Sequence, residues 1–173
     1  MLLRTLTLAG GLAGAAGMSQ FPEFSQQYVQ RLGGAVDELS RFVEDFDADA
    51  AALGLSRAVA LEDLAKGGEM GQLRAATMGQ TLARHERLSG DLNTLQAAGP
   101  FTRAYRATRL SDREIATRAW EVYKPALPLT FEGASFAGIG FLGGLAVLGI
   151  LIALFRRVFG RQKPEHSEAE SLT

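Results

Sequence analysis

The stretch that decides the fold is FAGIGFLGGLAVLGILIALF, Phe136 to Phe155, twenty residues without a charged side chain. As a helix rising 1.5 Å per residue it spans roughly 30 Å, the thickness of a bilayer's hydrocarbon core. A soluble helix this apolar needs a core that surrounds it on every side. A chain of 173 residues, with 47% hydrophobic residues gathered mainly at two ends, offers little to build one. Phe136 to Phe155 is therefore expected to cross a membrane. Arg156, Arg157, Arg161 and Lys163 follow it at once. Basic residues packed against the end of a span mark the cytoplasmic side. The remaining tail, PEHSEAESLT, is polar and acidic and is expected to be disordered.

Working outward, a second uncharged run, Thr5 to Pro22, lies near the other end. Two readings fit it. One is a cleaved signal peptide, with Arg4 as the charged head and small residues around Ala13 to Gly17. The other is a retained first span, preferred because apolar character continues through Met18, Phe21 and Pro22. Small residues recur at four-residue spacing in both runs: Gly10 and Gly14, Ala13 and Gly17, Gly140 and Gly144. That spacing leaves a groove in which two helix backbones can approach. Gly10, Gly14, Gly140 and Gly144 are thus the helix-packing candidates. Gly138, Gly140 and Gly143 also spell G-x-G-x-x-G, but they lie inside an unbroken apolar run. Dinucleotide binding needs that motif at a strand-to-helix turn.

Between the runs, residues 23–132 hold 13 basic and 16 acidic residues and lack the alternating β-branched pattern of strands. Tyr28, Leu32, Ala35, Leu39, Phe42 and Phe46 recur in steps of three and four, the seam of a long amphipathic helix. Gly33 and Gly34 interrupt it, as a kink or a close contact. Gly54 ends it. Ser56 caps a short helix over 57–66, which Gly67 and Gly68 stop. A second long helix follows over 69–98, with the seam Met78, Thr81, His85, Leu88, Leu92 and Leu95, until Gly99 and Pro100 break it. Two seams of one period, joined by a short turn region, predict an antiparallel hairpin with coiled-coil character. His85 is read as a polar seam residue that fixes register.

Arg103, Arg106 and Arg109 form a basic stripe. It faces lipid headgroups or an acidic partner, or, as the preferred reading, pairs with the acidic helix around Glu44 to Asp49. Ser111-Asp112-Arg113-Glu114 reads as a capping box opening a helix through about Tyr123. Trp120, Tyr123, Arg156 and Arg157 are the membrane-interface candidates, because aromatic and basic side chains gather where a span leaves the bilayer.

Other chemistry is excluded or unsupported. Zero cysteines removes disulfides, thiolate metal sites and a cysteine nucleophile. A net charge of −1 argues against a nucleic-acid binder. Asp45, Asp47 and Asp49 open like a calcium loop, but Ala50 and Ser56 stand where glycine and glutamate are needed. Ser-His-Asp catalysis could run only through His85 or His166, neither in a nucleophile-elbow context. The expectation is no enzyme, no cofactor, no metal and no small-molecule substrate.

FPEFSQQYVQRLGGAVDEL (Phe21 to Leu39) and AWEVYKPALPLTFEGASFAGIGFLGG (Ala119 to Gly144) resemble a bacterial membrane-protein family catalogued as domain-of-unknown-function family 2937. The resemblance runs from the first apolar run to the second. It implies a two-span inner-membrane protein with a helical extracytoplasmic region, and it brings no activity or catalytic residue.

The expected architecture is an all-α membrane protein, two transmembrane helices flanking an extracytoplasmic antiparallel helical hairpin. Its segments are an N-terminal span (or signal-like segment) over 1–22, a periplasmic helical region over 23–130, a span over 131–157 and a cytoplasmic tail over 158–173. Both ends face the cytoplasm. The expected partners are membrane lipid and either a docked protein or a second copy, which makes the chain an interaction or accessory subunit. The competing class is an accessory or pore-forming transport subunit; a pore wants polar residues within its spans, whereas Ser135 is the sole polar side chain between Gly133 and Phe155. With Pro125 and Pro128 ending the preceding helix, Trp120 should sit at headgroup depth. Its fluorescence in lipid should be blue-shifted and quenched by headgroup-region quenchers; quenching by aqueous iodide alone would place it in solvent.

Overall fold

The computed structural model describes residues 2–125 and 129–159. Pro128, Arg161, Lys163, His166 and the rest of the acidic tail lie outside the described residues. Every element among the described residues is helical: α1 (Leu2–Ser19), α2 (Phe21–Ala52), α3 (Arg57–Ala65), α4 (Gly68–Leu95), α5 (Pro100–Tyr105), a 3₁₀ turn (Ala107–Arg109), α6 (Arg113–Val122) and α7 (Phe131–Phe159). The described residues divide into two compact units, one formed by 2–21 with 129–159, the other by 22–125.

In the central unit, α2 is long because its seam repeats for its whole length. Pro22 falls in its first turn, where a missing N–H costs nothing, and Glu23 favours the same turn electrostatically. Gly33 and Gly34 do not break it. Neither holds a close approach: a side chain at Gly34 would meet open space, and one at Gly33 would only reach ordinary contact with Leu92. The helix stops where Gly54 adopts a left-handed φ of 67°, a conformation that glycine alone enters without strain. Ser56 then caps α3 by accepting from the Val59 N–H. Gly68, with φ of 77°, turns the chain into α4.

α2 and α4 run antiparallel. Gly33 faces Leu92, and seven residues further along α2 the Ser40 hydroxyl lies 2.9 Å from His85 Nε2, seven residues earlier in α4. The hairpin predicted from the two seams is present. Its core, however, is not shared by two helices alone. Tyr28, Leu32 and Val36 of α2 and Leu88 and Leu95 of α4 bury together with Ile115 and Ala119 of α6. α6 is thus a third core helix. Ile115 and Ala119, four apart on one stripe, are buried inside the unit. The capping reading also shifts by one residue. Asp112, rather than Ser111, is the cap, accepting from the Ile115 N–H at 3.2 Å, and Glu114 pairs with Arg84 and Arg118 instead of reaching back.

One buried node ties the three helices. The Asp112 N–H donates to the Tyr28 hydroxyl at 3.1 Å. The Asp112 carboxylate takes Arg84 at 3.4 Å and Arg87 at 3.5 Å, both from α4. Burial pushes the Tyr28 phenol above its usual value of 10. Tyr28→Phe leaves the Asp112 N–H without its acceptor, so it should destabilise the unit by about 1–3 kcal/mol at neutral pH. A raised phenol contributes stability that is whole below the unfolded value and is lost as pH climbs through the folded one. The deficit of Tyr28→Phe should therefore shrink above about pH 10. Thermal midpoints followed by the emission of Trp120, the single tryptophan, check both statements.

Candidate functional site

The outer unit is built from α1 and α7 packed together. Glycine inside a helix costs roughly 1 kcal/mol against alanine, so four at one interface need a reason. A Cβ placed on Gly14 would run into the carbonyl oxygen of Gly140. One on Gly140 would run into that of Gly14, and one on Gly144 into that of Gly10. The two backbones touch where the side chains are missing, the geometry in which Cα–H···O contacts recur between helices. The structure thus brings Gly10, Gly14, Gly140 and Gly144 into one seam. Gly11 joins it, facing the Phe141 ring and Leu145. The sequence reading missed Gly11, although its place beside Gly10 was a usable signal. The Ala13 and Gly17 pair does not take part: Ala13 is exposed and Gly17 meets open space. Gly138 and Gly143 are equally open and sit mid-helix, with no strand beside them. Phe21 and Phe136 stack near the other end of the seam, their centroids 5.3 Å apart.

Polar side chains on these two helices turn back on their own backbones. The hydroxyls of Thr7, Ser19 and Ser135 donate to the carbonyls of Leu3, Ala16 and Phe131 at 2.8–2.9 Å. Such bonds satisfy a hydroxyl without a partner or water. Arg156 and Arg157 are exposed in the last turn of α7.

In the central unit the basic stripe resolves into helix capping. Arg103 is 6% exposed, donates to the Leu95 carbonyl at 3.2 Å and to Gln26 Oε1 at 2.8 Å, and its burial lowers its affinity for a proton. Arg106 donates to the Thr94 carbonyl at 3.1 Å, and Arg109 pairs with the buried Asp91 at 3.0 Å. All three meet the last two turns of α4, where unpaired carbonyls and the helix dipole favour cations. The pairing expected with Glu44 to Asp49 does not occur. From that acidic segment, Asp47 binds Arg57, its Nε donating at 2.7 Å, and this holds the carboxyl below its usual range. The aspartate triplet lies within α2 rather than in a loop.

His85 meets Ser40 across the hairpin, as a register contact would. Among the described residues no carboxylate is hydrogen-bonded to its ring, so the third member of a triad is not assembled. Trp120 is 66% exposed and stacks on the buried Tyr123 at 5.7 Å, while the Phe24 ring meets both edge-on at 6.1 and 6.2 Å. This aromatic group closes the end of the central unit from which both connections leave, at Pro22 and Pro125.

The glycine seam is open to a direct test, since the chain has no cysteine of its own. A Cβ at Gly10 would stand 3.1 Å from that of Leu148, close to the ~3.5–4.5 Å of disulfides. Gly10→Cys with Leu148→Cys should cross-link on oxidation, and Leu12→Cys with Leu148→Cys, with Leu12 exposed, should not. Adding Gly14→Ile should abolish the first cross-link. Equal cross-linking by both pairs would deny the seam.

Comparison with curated proteins gives no match, and comparison with solved structures gives none either. A family pattern, described as "Protein of unknown function (DUF2937)", matches residues 2–161. That match covers α1, the whole central unit and α7, so the chain belongs to the DUF2937 family of proteins of unknown function.

Proposed function

We propose that this is a two-span inner-membrane protein in which α1 and α7 cross the bilayer together, and that its central helices serve as an extracytoplasmic interaction module for a protein partner or a second copy. The observation that carries the reading is the inside-out character of the α1–α7 pair. Its small residues face inward and its large apolar ones outward: Leu6, Leu8 and Leu12 on α1, and Leu142, Val147, Ile150 and Leu154 on α7, are all more than half exposed. The most apolar window of Phe131–Val158 has mean hydropathy 2.4 and is only 6% buried. A core helix of a water-soluble protein would be mostly buried, whereas lipid accepts such a surface. Among the described residues α7 alone is long and apolar enough to cross by itself. α1 is poorer in large side chains because glycine and alanine form its seam, and it is placed in the bilayer through its packing on α7. The arginines at the start of α1 and the end of α7 support a cytoplasmic location for both.

The interaction role rests on the turn end of the hairpin. Leu53, just after α2, and Met70 and Leu73, near the start of α4, are 74%, 75% and 66% exposed. Large apolar side chains left exposed at one end of the hairpin suit a docking surface better than a solvated turn. Tyr28, Asp91, Arg103 and Asp112 are committed to holding the central unit together, which favours the interaction reading over a catalytic one.

Phosphatase fusions test the topology. A fusion after Gly99 should be active and one after Phe159 inactive; the reverse pattern would sink the arrangement. Affinity purification from solubilised membranes tests the role. A partner or second copy should co-purify reproducibly with the native chain and be lost from Met70→Glu with Leu73→Glu. A monomer that brings nothing down would remove the interaction reading.

A further inference from the structure

Between the start of α1 and the end of α7 lies a groove of about 340 Å³, within the ~300–1,000 Å³ range of ligand sites. Its floor is apolar, made by Leu3 and Leu8 of one helix and Leu145 and Ile152 of the other. Its rim carries two guanidinium groups, Arg4 from α1 and Arg156 from α7. Gly149 opens it: a side chain there would meet nothing within 4 Å. Thr7, the remaining polar residue, has its hydroxyl tied to the Leu3 carbonyl.

We propose that this groove binds one anionic phospholipid, its phosphate held between Arg4 and Arg156 and an acyl chain laid over the leucine floor. The inference rests on the membrane reading above and adds a ligand to it. The occupant follows from charge and polarity together. Among the described residues neither arginine has a carboxylate partner, and Glu132, the acidic residue of α7, stands in its first turn, at the opposite end of the helix. Two unpaired guanidinium groups at the edge of hydrocarbon call for an anion, and their planar donors match phosphate oxygens. Their methylene stems can lie along the apolar floor while the heads reach the interface. Inorganic phosphate would satisfy the arginines and leave the floor bare. A zwitterionic lipid would cover the floor and bring its own cation toward the arginines. An anionic lipid does both jobs without conflict. Gly149 fits the same picture. It lies off the glycine seam, so its missing side chain does not serve the contact between helices, and what it leaves open is the groove.

The test uses the full chain in nanodiscs of equal phosphatidylcholine and phosphatidylglycerol. Native mass spectrometry then counts the lipid retained after detergent extraction. Phosphatidylglycerol should be retained over phosphatidylcholine by roughly tenfold, as two basic residues near an anionic headgroup allow. Arg4→Gln with Arg156→Gln should erase the preference. Gly149→Leu should lower phosphatidylglycerol retention with both arginines intact, by filling the groove. If Gly149→Leu changes nothing and excess inorganic phosphate strips the lipid, the arginines bind free phosphate and the proposal falls. Alkali-washed membranes separate the two levels of inference. A chain that stays in the membrane yet retains both lipids alike overturns the lipid site and leaves the membrane reading standing. A chain that washes off removes both.

Discussion

The hydrogen bond from the Asp112 N–H to the Tyr28 hydroxyl is the point on which the central unit turns. It fixes where α6 begins, because Asp112 is also its cap. It fixes where α6 sits, because the same carboxylate is gripped by two arginines of α4. Once α6 is held there, Ile115 and Ala119 fall onto Tyr28, Leu32, Leu88 and Leu95, and a two-helix seam becomes a three-helix core. A two-helix hairpin cannot cover its own apolar stripes on all sides. The third helix supplies the missing wall, and the polar node supplies its register. Burying that much polarity is tolerable because most of it is matched, N–H to hydroxyl and carboxylate to N–H and to guanidinium, with the Arg84 Nε the exception.

The outer unit follows a different logic. The central helices meet by hiding large side chains; α1 and α7 meet most closely where side chains are missing, with Phe141, Leu145 and Leu148 packed beside the glycines. Their association draws on close backbone approach, and the large side chains turned outward contribute nothing to it. The two units are therefore packed by different rules. The switch coincides with the prolines: Pro22 opens the central unit and Pro125 closes it.

Much of this was legible in the sequence, for a physical reason. Periodicity and punctuation are local signals. Hence the long seams, Gly54 and Gly68 as turns, the Ser56 cap and the four seam glycines could each be read from a few neighbouring residues. What escaped were pairings between distant segments. Nothing near Arg103, Arg106 and Arg109 announces that they meet the carboxyl end of α4, eight to eighteen residues back. Tyr28 and Asp112, 84 residues apart, give no local hint of each other. That α6 joins the hairpin core was equally hard to read, because Ile115 and Ala119, which carry it there, are less conspicuous than Trp120 in the same helix. The capping box failed by one position because Ser and Asp are both good caps, and only the Tyr28 hydroxyl distinguishes them.

The core of the hairpin is not evenly distributed along its length. Its large buried side chains lie between Tyr28 and Val36 and between Leu88 and Leu95, all at the end closed by α6. Toward α3 the buried positions are Val43, Ala50 and Gly71, all smaller than the fully buried Tyr28, Leu32, Leu88 and Leu95 of the base. Burial sets the free energy of local opening. The hairpin is thus a graded structure, with backbone amides near α3 exchanging with solvent through fluctuations that leave the three-helix base intact. Such a gradient leaves the far end freer to fluctuate, while the end closed by α6 is held by the fuller core.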